Sequence, residues 1–131
     1  MLDMKLELVP VPVSDVDRAK AFYVEKVGFH LDLDVQPGNG IRVVQLTPPG
    51  STCSIVIGTG MGEISEMRPG TVKGLHLVVA DINKAREELA GRGVAVGKVD
   101  DLGGIKYVSF SDPDGNSWLL QEIPSGVKRN F

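Results

Sequence analysis

Residues Gly74–Gly93, GLHLVVADINKAREELAGRG, decide the fold because the chain carries their pattern twice. Moved back by 66 positions, the stretch falls on Leu8–Tyr23, LVPVPVSDVDRAKAFY. Val13 then matches Val79, Asp15 matches Asp81 and Ala19 matches Ala85, while Val16 faces Ile82 and Arg18 faces Lys84. Each copy is a short apolar run, an Asp, and then apolar residues at helical spacing. Self-similarity at a fixed shift marks two copies of one supersecondary unit.

Within each copy the alternation predicts a strand with two distinct faces. Val9, Val11, Val13, Leu75, Leu77 and Val79 are expected to face the helices, and Leu8, Pro10, Gly74 and His76 the opposite side. Pro10 and Pro12 remove ladder donors, which places the first strand at a sheet edge. Ser14 or Asp15 caps a first helix that runs to about Lys26 and stops at Gly28; Asp81 caps a second. Further strands are read at Phe29–Val35, Ile41–Leu46, Cys53–Ile57, Val94–Val99, Ile105–Phe110 and Trp118–Ile123. In the strand at Phe29–Val35, His30, Asp32 and Asp34 share one face. Asp112-Pro113-Asp114-Gly115 has the residue order of a type I turn. A second shift, of 64, lays Ile41–Gly58 on Ile105–Glu122 without a gap. The prediction is an α+β fold of two βαβββ modules, residues 5–58 and 74–123, with a connector at 59–73 and a loose tail at 124–131.

Fourteen basic against seventeen acidic residues leave a net charge of −3 with no Lys/Arg run, so nucleic acid is not an expected partner. No apolar run approaches the roughly 18 residues of a membrane span. Cys53 is the one cysteine, which fits a reducing cytoplasm and allows no intrachain disulfide.

VSDVDRAKAFYVEKVGF in the first half, with HLVVADINKA and SFSDPDGNSWLLQE in the second, resembles the glyoxalase, bleomycin-resistance and extradiol dioxygenase proteins over about Leu6–Ile123. The resemblance implies a half-open cup formed by the two curled sheets. It also implies four metal-ligand positions, at the first and last strand of each module. These fall on Leu8, Gly58, Gly74 and Glu122, of which only Glu122 carries a donor side chain. One carboxylate does not supply the three protein ligands of a catalytic zinc site. No cofactor is therefore expected, and a divalent metal is disfavoured.

His76 lies two residues past Gly74 on the same predicted face, and can serve as a displaced ligand or a general base. Glu122 is a candidate catalytic base, with desolvation as the means of raising its pKa. Trp118 shares strand parity with Leu120 and Glu122 and is expected to form an aromatic wall of the cup. The expected ligand-binding set is thus Leu8, Gly58, Gly74, His76, Trp118, Leu120 and Glu122. The reading chosen from sequence is metal-free binding of a small molecule, an antibiotic or metabolite, in the cup. Its alternatives are a metal-dependent lyase, isomerase or dioxygenase, and a metal-free enzyme using His76 and Glu122 as acid and base. The exposed edges of two small sheets predict a homodimer.

Overall fold

A computed structural model describes residues 1–124, so the expected loose tail lies, apart from Pro124, outside the described residues. The first half contains β1 (Leu8–Pro10), helix α1 (Val16–Ala21), β2 (His30–Gly38), β3 (Ile41–Thr47) and β4 (Ser54–Thr59). The second contains β5 (Leu75–Val78), α2 (Ile82–Gly91), β6 (Asp100–Leu102), β7 (Ile105–Ser111) and β8 (Ser117–Glu122). Each half is a four-stranded mixed sheet, in the orders β1-β4-β3-β2 and β5-β8-β7-β6. The first strand of each half pairs in parallel with the last and, among the described residues, has no strand on its other edge. This is the α+β architecture of two βαβββ modules.

The repeated Asp has one job in both copies. Asp15 and Asp81 take nearly the same extended backbone conformation and accept from the backbone N–H groups of Arg18 and Lys84, capping α1 and α2. After Ala21 the first helix widens into a π-helical turn, Phe22–Val27, and ends at Gly28, whose φ of +93° only glycine adopts freely. One buried cluster joins the two halves. It includes Val11, Ala19, Val44 and Ile57 of the first half, and Ile82, Val108, Phe110, Trp118 and Leu120 of the second.

The halves are fastened by the turn at Asp112–Asn116. Gly115 N–H donates to the Asp112 carbonyl at 3.0 Å, as a β-turn requires. The Asp112 carboxylate takes the backbone N–H groups of Asp114 and Asn116 and the hydroxyl of Tyr23, at 2.8–2.9 Å. The Asn116 amide reaches across to donate to the Pro12 carbonyl at 2.7 Å, and Ser14 donates to Asp114 at 2.6 Å. Pro12 and Tyr23 belong to the first half and the turn to the second. Burial, and next the adjacent Asp112 charge, push the Tyr23 phenol well above its usual range, so it stays a protonated donor.

Three expectations of register are corrected. Leu75 lies opposite Trp118, His76 opposite Leu119 and Leu77 opposite Leu120, so Trp118, Leu120 and Glu122 face the helices, not the side of His76. The cause is a loop one residue shorter in the second half. Leu46 pairs with Ile55 but its counterpart Phe110 pairs with Trp118, so the gapless shift of 64 fails beyond β3 and β7. A one-residue slip exchanges the faces of a strand. The second correction is a bulge between Leu31 and Leu33, which separates Asp34 from His30 and Asp32. Asp34 turns to the helix side and is held by Arg42 and Lys20 at 2.8–3.1 Å. The third is at Val94–Val99, which forms no strand: Gly97 N–H donates once to Ser109, and ladder pairing starts at Asp100.

Two measurements check this frame. Tyr23→Phe strands the buried indole N–H of Trp118 and removes a donor from Asp112, so denaturant titration is expected to show a loss of about 1–3 kcal/mol. A loss below about 0.5 kcal/mol, within the range of an ordinary surface substitution, contradicts the assignment. Arg42, and after it Lys20, hold the Asp34 carboxyl well below the usual carboxylate range. A depressed folded-state pKa contributes stability above the unfolded-state value of about 3.9, and the contribution disappears as the pH falls further. The gap in melting temperature between wild type and Asp34→Asn should therefore hold steady above about pH 5 and narrow below about pH 4. A gap that widens in acid would be the wrong sign.

Candidate functional site

The free edge of β5 and the start of β4 border a cavity of about 310 Å³ between the two halves. Its apolar wall comes from Val9 and Ile55 of the first half and Leu75, Leu77 and Trp118 of the second. Its polar side chains are Ser51, Cys53, Ser54 and His76. His76 and Trp118 thus reach one cavity even though they stand on opposite faces of their sheet, because β5 is an edge strand with space on both sides.

His76 is exposed, and its Nδ1 lies 2.6 Å from the Gly74 carbonyl. A carbonyl oxygen only accepts, so Nδ1 carries the proton and a neutral ring presents Nε2 as an acceptor. The ring meets Tyr107 edge to face at 6.0 Å. Across the cavity, Ser54 is buried and belongs to a chain of hydrogen bonds on the outer face of the first sheet. Ser54 Oγ lies 2.5 Å from Thr47 Oγ1, Thr47 donates to Asp32, and the Gln45 amide bridges Asp32 and Ser54. His30 stands 3.8 Å from Asp32. His30 and Asp32 are both exposed, and the register of β2, β3 and β4 gathers Asp32, Thr47, Gln45 and Ser54 on that face.

The other expected residues fall as follows. Trp118 is 3% exposed; its indole N–H donates to Tyr23 at 3.0 Å and its ring stacks on Phe110, so only part of its surface borders the cavity. Leu120 is buried and borders a second cavity of about 190 Å³ with Phe29 and Leu77. Glu122 Oε1 accepts the Ile82 N–H at 2.8 Å and so caps α2, with Lys106 at 3.8 Å. The carboxylate is thus engaged at a helix terminus, on the face opposite His76. Leu8 and Gly58 lie on the outer face of the first sheet, and Gly74 precedes β5 with its carbonyl on His76. A Cβ at Gly58 would stand 1.9 Å from the Arg42 carbonyl oxygen, so no donor side chain fits there without backbone movement.

The metal-ligand positions implied by the fold family do not fit a metal in this chain. Leu8, Gly58 and Gly74 carry no donor, and Glu122 points to the other side of its sheet. Among the described residues no three His, Cys, Asp or Glu side chains stand together as a cation would need.

Known proteins place the chain. Residues 5–120 match the model of the Glyoxalase/Bleomycin resistance protein/Dioxygenase superfamily. The chain belongs to that superfamily. It is similar to TnmS3, an antibiotic binding protein from Streptomyces sp. CB03234, at 39% identity over 95% of this chain and 99% of that one, with a TM-score of 0.83. A glyoxalase/bleomycin resistance protein from the same strain is 40% identical over 88% of this chain and 98% of that one, with a TM-score of 0.75. The protein YetH of Bacillus subtilis (strain 168) is 31% identical over 116 residues, 87% of this chain and 94% of its own. No described helix is long and apolar enough to cross a membrane.

Proposed function

We propose that this protein binds an apolar small molecule of the antibiotic class without a metal and removes it from solution. The observation that carries the reading is the cavity between the halves: mostly apolar walls, a few fixed polar groups, and no donor set for a cation. The likeness to an antibiotic binding protein at 39% identity over nearly the full chain supports it. A metal-dependent lyase or dioxygenase lacks its ligands here. An acid–base enzyme using His76 with Glu122 lacks convergence, since the two lie on opposite faces of one sheet.

The binding unit we propose is a homodimer in the cytoplasm. Leu33 and Val35 on the first sheet and Val78 on the second are 38–47% exposed, on faces that no element among the described residues covers. A second copy is the economical cover for two such faces. The half-buried free thiol of Cys53 suits a reducing compartment.

Calorimetry against a panel of aromatic antibiotics, each with and without EDTA, tests the reading. Binding heat unchanged by the chelator is expected; binding that appears only after zinc is added contradicts it. Light scattering at micromolar protein should return about twice the chain mass of 14.0 kDa, and a value at 14.0 kDa would refute the dimer.

A further inference from the structure

Resting on that reading of the cavity, we infer the chemical class of its ligand: an aromatic molecule that donates hydrogen bonds, a phenol or an amine, in preference to one that only accepts them. Each polar side chain that borders the cavity has a definite acceptor for its proton.

Ser51 Oγ donates to the Cys53 carbonyl at 3.0 Å. The Cys53 thiol is directed at the Ser54 carbonyl, 3.7 Å away. His76 Nδ1 donates to the Gly74 carbonyl. Ser54 is settled by its neighbours. An ionised Asp32 can only accept, so the hydroxyl proton of Thr47 goes to Asp32. Thr47 then has only lone pairs left for Ser54, and the Ser54 proton must point to Thr47. Gln45 presents its amide nitrogen to both Asp32 and Ser54, since its carbonyl oxygen would face the carboxylate with like partial charge.

All four side-chain protons are therefore committed within the protein. What the side chains leave toward the cavity is acceptor capacity: Nε2 of a neutral His76 and the second lone pair of Ser54 Oγ. A ligand hydroxyl or amine finds a side-chain partner there. A ligand carbonyl or ether oxygen meets lone pairs at both groups and finds no side-chain donor to offset its desolvation. Asp32, remote from the cavity, is a positioning residue that sets the direction of the Thr47–Ser54 chain.

The test compares 1-naphthol with 1-methoxynaphthalene, in which a methyl replaces the donor hydrogen, in calorimetry on the full chain at about pH 8. Wild type is expected to bind 1-naphthol about tenfold more tightly. In Asp32→Asn the new amide can donate to Thr47, the chain can reverse, and Ser54 can offer its proton; the preference should shrink. His76→Phe, a change at an exposed position, keeps a ring and removes the acceptor, and should shrink it as well. Circular dichroism verifies that both variants are folded. Equal affinity of the two probes for wild type overturns this inference and leaves the binding reading standing. A tenfold preference that survives both substitutions also overturns it, because the donor is then accepted elsewhere. Binding of neither probe overturns the cavity reading itself.

Discussion

The Asp112 carboxylate is the group on which the rest depends. It closes its own turn through two backbone N–H groups and reaches the other half of the molecule through Tyr23, whose hydroxyl in turn accepts from the Trp118 indole. Asn116 completes the link by donating to Pro12 and to Asp112. Buried polar groups are tolerable only when they are satisfied, and these satisfy one another. Around them Tyr23, Phe29, Phe110 and Trp118 pack at centroid distances of 5.4–6.1 Å, so the polar link is embedded in aromatic surface.

The link has a consequence for the cavity. Ser54 and His76 belong to different sheets, and the two sheets share no ladder hydrogen bonds. Their relative position is set by the shared core and the turn, not by strand pairing. A cavity bordered by both halves can thus keep its shape, with Val9, Ser54, Ile55, Leu75, His76 and Trp118 on regular strands and Ser51 and Cys53 on the loop before β4. Rigid elements hold side chains more precisely than loops do. The residues that build this frame, Trp118 and Glu122 among them, lie on the helix side.

Much of the fold was legible in the sequence because the repeat is physical. Asp15 and Asp81 match because both cap helices, and Val44 and Val108 match because both are buried in equivalent strands. Pro10 and Pro12 marked an edge strand, and β1 is one. The site was less legible. Strand parity states which residues share a face but not which face it is; the resemblance put Glu122, and parity with it Trp118 and Leu120, on the cup side. Glu122 consequently read as a cup residue when it caps α2. The Asp32–Thr47–Ser54 chain was missed because its members lie on three strands whose mutual register no single stretch encodes. The DPDGN sequence read correctly as a turn, but its partners Pro12 and Tyr23 lie about a hundred residues away and left no local signal.

The two halves form one folding unit joined by the Asp112–Asn116 turn. Native-state hydrogen exchange of the Trp118 indole N–H and the Asn116 backbone N–H tests it most directly. Both should exchange only with global unfolding, at the same free energy as the central amides of β3 and β7. Exchange at a distinctly lower free energy, with β3 and β7 still protected, would show halves that separate while each stays folded, and would contradict the claim.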